Sequence, residues 1–140
     1  MKELEKAKKL LLSGGYTCVL CRGDTVLYSR ERGVKPLLGW LSEQAIESGF
    51  SAADKVVGRA AAFLYVLLGA REVYADIMSE PACEVLAAHK IYFEATQTVP
   101  AIRDRTGDGF CPMESAVRNI TEPEAALAAI LEKLRELSSK

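Results

Sequence analysis

Apolar residues recur at helical spacing from Lys2 to Ser13, where Leu4, Ala7 and Leu11 share one stripe until Gly14-Gly15 ends the pattern. Two short β-rich runs follow, Tyr16 to Cys21 and Thr25 to Ser29. The Gly23-Asp24 pair between them suits a tight hairpin turn with glycine first. Glu31 to Lys35 reads as a charged connection, and Pro36 to Glu47 as a short helix carrying Leu37, Leu38, Trp40 and Leu41. Ser51-Ala-Ala-Asp54 has the form of a capping box, and it predicts the start of a long helix reaching Leu68. Val56, Val57, Ala60, Ala61, Leu64, Leu67 and Leu68 keep its rhythm, while Ala62, Phe63 and Val66 make its second half apolar all round. Such a helix belongs in the centre of the molecule.

The second half alternates. Glu72 to Met78 predicts a buried strand, Ser79-Glu80-Pro81 opens a helix to about His89, and Ile91 to Thr96 is the next strand. A Gly-Asp-Gly loop then leads to a helix beginning at Pro112, and Thr121-Glu-Pro-Glu124 is a second capping box. It opens a last helix with Leu127, Ile130, Leu131 and Leu134 on one stripe. Strands separated by helices imply parallel pairing with right-handed crossovers, hence an α/β fold. In such sheets ligands bind at the carboxyl ends of the strands, where the following helices start. Helix starts near Asp54, near Cys83 and at Cys111 are therefore expected along one edge.

Length and composition narrow the reading. The chain of 140 residues has the size of one domain, 1–140, with no repeat or internal boundary. Eighteen basic residues against 19 acidic give a net charge near −1, which argues against a nucleic-acid backbone binder. The longest apolar run, Ala60 to Ala70, falls short of the roughly 20 residues of a membrane span. The charged N-terminus has no signal-peptide core, so the expected compartment is cytoplasmic, with Cys18, Cys21, Cys83 and Cys111 reduced. Cys18 and Cys21 form a C-x-x-C, but on a strand they point to opposite faces, as core-filling residues rather than a redox pair. One histidine, His89, makes a His-based metal site improbable. Arg22-Gly23-Asp24 matches an integrin-binding string and reads here simply as the turn.

Cys111 carries the strongest chemical signal. It precedes Pro112, which favours the first helical position, so the thiol stands at an N-cap where peptide dipoles favour an anion. Asp108-Gly109 gives its loop close backbone access; Glu114 opposes thiolate formation, whereas Arg103 and Arg105 favour it. Lys55 and Arg59, one helical turn apart, suit an anionic ligand, with Asp54 and Cys83 facing the same pocket. Each has a plainer role available: Asp54 as a cap, Lys55 and Arg59 as surface charges, Cys83 as a small apolar side chain.

The segments Asp54 to Ala62, Glu80 to Cys83 and Thr106 to Glu114 together resemble a prokaryotic family, domain of unknown function 1893, over nearly the whole chain. The resemblance implies a cytidine-deaminase-like fold, a three-layer α/β/α sandwich around a mixed sheet. Zinc deaminases carry His (or Cys)-x-Glu and Pro-Cys-x-x-Cys. The corresponding places here read Ala53-Asp54-Lys55 and Pro81-Ala82-Cys83-Glu84-Val85, from which a tetrahedral zinc with an activated water cannot be built. The formate dehydrogenase accessory protein, with the same superfold, handles sulfur through loop cysteines, an analogy of fold alone.

Three readings follow. The first is a deaminase-fold domain without zinc or cofactor, binding a small anionic or nucleotide-like ligand near Cys111 through Asp54, Lys55, Arg59, Cys83, Asp108, Gly109 and Glu114. The second is an enzyme or sulfur carrier using Cys111 as nucleophile, with Asp54 or Glu114 managing protons. The third is a non-catalytic interaction or regulatory domain, with a second copy of the chain among its candidate partners.

Overall fold

The computed structural model describes residues 2–103 and 111–138. In chain order the elements are α1 (Glu3–Gly14), β1 (Cys18–Arg22), β2 (Thr25–Ser29), α2 (Lys35–Glu43), β3 (Ser51–Val57) and α3 (Arg59–Leu68). They continue with β4 (Glu72–Ser79), α4 (Glu80–Ala88), β5 (Tyr92–Val99), α5 (Pro112–Ala116) and α6 (Pro123–Ser138). The strands form one mixed sheet in the order β2-β1-β3-β4-β5. β1 runs antiparallel to both β2 and β3, whereas β3, β4 and β5 are mutually parallel.

The chief departure from the sequence reading lies at the centre of the sheet. Ser51 to Val57 is a strand, and the helix starts only at Arg59, so Asp54 and Lys55 are strand residues. Ser51, Ala52 and Ala53 are fully buried, flanked by β1 and β4 and covered on both faces. A doubly covered parallel strand shows no alternation, and tertiary packing overrides the weak strand preference of alanine. The small side chains let helices approach both faces closely. Gly58, extended at φ −99° and ψ −175°, separates strand from helix. Smaller shifts occur elsewhere: α2 ends at Glu43 because Gln44 turns left-handed (φ 52°), and β5 runs on to Val99.

The sheet separates two layers. On one face α1 sets Leu4, Ala7 and Leu11 onto Val19, Cys21, Ala53 and Tyr74. The larger core on the other face joins Cys18, Leu20, Ala52, Val73 and Ala75 to α3, α4 and α6. A fully buried Leu such as Leu11 or Leu64 contributes about 2–3 kcal/mol in each layer. Cys18 and Cys21 do point to opposite faces, one into each core. The hairpin also forms as expected, with Arg22 opposite Thr25 and Gly23 at φ +58° in the first turn position. No helix among the described residues is long and apolar enough to cross a membrane.

Candidate functional site

α3 and α4 begin directly after β3 and β4, and α5 follows β5, so these helix starts lie at the carboxyl edge of the parallel strands. Two of the starts are satisfied from within the chain. At α3, Glu114 accepts hydrogen bonds from Arg59 N (2.6 Å) and Ala60 N (2.9 Å), placing its carboxylate on the positive end of the helix. Gly58 makes room for it: a Cβ there would lie 2.5 Å from the carboxylate carbon. At α4, the buried Ser79 hydroxyl accepts from Ala82 N at 3.1 Å. Cys111 does occupy the N-cap position of α5, without a side-chain cap bond, and its N–H donates to Ile102 O at 3.2 Å. That helix has five residues and sums little dipole.

Arg59 holds α5 in place. Its Nε donates to Val117 O at 3.1 Å, Nη2 donates to Ile120 O, and the guanidinium lies 5.1 Å from the centre of the Phe63 ring. With Glu114 returning to the amides of α3, one residue from each helix ties the two together. Beside this clasp opens a cleft of about 590 Å³. Arg59, Arg103, Arg118, Glu84 and Glu114 supply its charged wall, Pro81, Pro100, Ala101 and Ile102 its apolar wall, and Ser115 and Asn119 add polar atoms.

The residues singled out from sequence are therefore distributed. Arg59 and Glu114 line the cleft. Cys83 stands between the lining residues Pro81 and Glu84 without being part of the lining. Burial, then nearby Glu80 and Glu84, raise its thiol pKa, which disfavours a thiolate there. Lys55 is half-buried on β3 and its N–H donates to Thr17 O at 3.0 Å; strand and helix geometry do not stack it over Arg59. Asp108 and Gly109 lie outside the described residues, as does Arg105. Among the described residues no three His, Cys, Asp or Glu side chains could together hold a metal ion.

Asp54 belongs to a separate buried network. Tyr65 Oη on α3 donates to Asp54 Oδ2 at 2.7 Å and lies 3.1 Å from Cys18 Sγ. A hydroxyl has one proton, so with Asp54 ionised the order is Cys18 S–H to Tyr65 oxygen, and Tyr65 O–H to carboxylate. Burial pushes the Asp54 carboxyl up to about 6, against the lowering influence of Tyr65 and of the backbone amides of Val56 and Lys55. The same burial raises the Cys18 thiol and the Tyr65 hydroxyl well above their ordinary values. The three side chains form a hydrogen-bonded chain between β1, β3 and α3, with Cys18 and Tyr65 sealed from solvent and Asp54 half-buried.

Sequence reasoning missed Tyr65 and Arg118. A lone tyrosine in the apolar run Ala60 to Leu68 signals a hydroxyl in need of a partner. Arg118 lies two residues past the end of α5, where no local pattern singles it out. Burial also fixes the order of thiol reactivity. With iodoacetamide near neutral pH, labelling of the folded chain is expected at Cys83 and Cys111 alone. Cys18 and Cys21, 3% and 0% exposed, should react only at the rate of unfolding. Peptide mass mapping that finds early label on Cys21 would contradict this packing.

No curated protein matches the chain in sequence. A crystal structure of a DUF1893 family protein (TM1506) from Thermotoga maritima, at 2.70 Å resolution, superposes with a TM-score of 0.86 at 24% identity. The match covers 94% of this chain and 89% of that one, and it concerns the fold. The family model described as domain of unknown function DUF1893 matches residues 6–134, and the chain accordingly belongs to the DUF1893 family.

Proposed function

We propose that this chain is a zinc-free, deaminase-fold domain that binds a small anionic, nucleotide-like ligand in the cleft between α4, α5 and the end of β5. The observation that carries the reading is the cleft itself. It combines a volume of about 590 Å³, within the roughly 300–1,000 Å³ range of small-molecule sites, with its place at the carboxyl edge of the parallel strands. Arg103 and Arg118 supply positive charge for a phosphate or carboxylate, and Pro81, Pro100 and Ile102 offer an apolar wall to a planar group. The α3 amides are occupied by Glu114, so the contacts to the anion fall to side chains.

Calorimetric titration with nucleoside monophosphates, nucleoside diphosphates and inorganic phosphate tests this. At least one nucleotide is expected to bind, more weakly as salt rises, and Arg118→Ala or Arg103→Ala should weaken it about tenfold or more while the far-ultraviolet circular dichroism shows a folded chain. Binding that ignores both substitutions, or no binding across the panel, would refute the assignment.

A further inference from the structure

We propose that the open edge of β2 receives a second copy of this chain, the two β2 strands pairing antiparallel about a two-fold axis at Leu27 to join both sheets. This stands apart from the ligand reading and uses none of its residues. Among the described residues β2 is an outermost strand, paired only with β1. Its stretch Thr25-Val-Leu-Tyr-Ser29 has no proline, lysine or other charge, the usual devices that keep an edge from pairing. Val26 is 37% exposed and Tyr28 52%, an apolar pair left on an edge strand.

Backbone direction fits. Ser29 O accepts from Thr17 N at 2.8 Å, so Ser29 faces β1, and alternation turns the amides and carbonyls of Val26 and Tyr28 outward. Pairing Val26 with Tyr28 of the second copy, twice by symmetry, uses all of those outward groups.

The side chains give the register. Val26 and Tyr28 stand on the α1 face, across from Cys21 and Val19, with the acid Asp24 in the turn just before β2 and the base Arg30 just after it. Reversed against itself about Leu27, this row sets Asp24 opposite Arg30 at both ends and Val26 opposite Tyr28 between them, so charge and shape are self-complementary. Arg30 is already held on that face: it donates to Gly14 O at 3.3 Å and lies 4.5 Å from the centre of the Tyr16 ring, which packs on Tyr28. Sliding the register by two residues loses the match. One slip sets Asp24 opposite Tyr28 and leaves Arg30 beyond the hairpin turn with no residue across from it, and the other sets Arg30 opposite Val26.

Sedimentation velocity on the full chain tests the pairing. The wild-type chain is expected to dimerise at about 100 µM. Asp24→Arg and Arg30→Asp, each alone, create like-charge pairs at both ends and should raise the dissociation constant about tenfold or more. Mixed in equal amounts, the two variants restore both attractive pairs and should form a heterodimer, which a general folding defect would not produce. Val26→Lys, at an exposed position, should also give a folded monomer by circular dichroism. A wild-type monomer at this concentration, a dimer indifferent to these changes, or a mixture that stays monomeric would overturn the proposal.

Discussion

Wild-type stability minus that of Asp54→Asn, followed by urea denaturation across pH, is expected to fall as the pH rises from about 4 to about 7. The folded chain holds the Asp54 proton up to about 6, whereas the ordinary carboxyl value is 3.8. Between those values the native state binds more protons than the unfolded one, so this contribution is full below 3.8 and is lost as the pH rises through about 6. A shift of about two units corresponds to at most roughly 3 kcal/mol, and partial exposure of Asp54 reduces it. Asn keeps the acceptor for Tyr65 without the charge. At neutral pH the variant should equal or exceed the wild type in stability, by up to about 2 kcal/mol. Tyr65→Phe works the other way. It removes the donor to Asp54 Oδ2 and the partner of Cys18 Sγ, leaving the half-buried carboxylate with the Val56 N–H but no tyrosine donor. The expected loss is about 2–4 kcal/mol at pH 8 and about half that at pH 4, where the carboxyl is neutral. Because the Tyr65 bond lowers the Asp54 value, the pH midpoint should also move above 6 in this variant. An Asp54→Asn difference flat in pH, or an equal Tyr65→Phe loss at both pH values, would remove the triad as a proton-holding group.

That triad also shows where sequence reading stopped. α1 and α4 were legible because each has one covered face and one exposed face, so the period of its apolar residues is written into the chain, while β1 and β4, covered on both faces, were legible from their short β-rich runs bounded by turn residues. β3 has no exposed face over Ser51 to Ala53, and its Ser-Ala-Ala-Asp string imitates a helix cap. Only the sheet around it decides the matter. Misplacing β3 moved Asp54 from the strand interior to a helix start, and with it the partner Tyr65, which lies eleven residues on. The gathering of helix starts at one edge survived, since it depends on the alternation of strands and helices and not on any one boundary. Their occupants did not: Glu114 reaches α3 across 55 residues, a contact no local pattern encodes. The Cys111 position was legible for the opposite reason, because a proline at the first helical residue is a local signal.

The reach of Glu114 gives a thermodynamic cycle with a change of sign. Glu114→Ala removes two hydrogen bonds between a carboxylate and the first amides of α3, at an expected cost of about 2 kcal/mol. Gly58→Ala in the wild-type chain puts a methyl group 2.5 Å from the same carboxylate. The flexible end of Glu114 can move aside, but only by leaving Arg59 N and Ala60 N, so the expected loss is about 1–2 kcal/mol. Combined with Glu114→Ala, the same methyl meets no carboxylate. The φ of −99° suits any residue, and restricting the unfolded chain should then stabilise by about 0.4–1 kcal/mol. One substitution is thus destabilising with Glu114 present and stabilising without it, which gives a coupling energy of about 2 kcal/mol from denaturant midpoints. Additive losses would mean that Gly58 is constrained by something other than the carboxylate. A coupling of the expected size would locate the hold of α5 on the sheet edge in a single buttressed ion, and would make Glu114 a poor choice for proton transfer, since both its oxygens are committed to the backbone of α3.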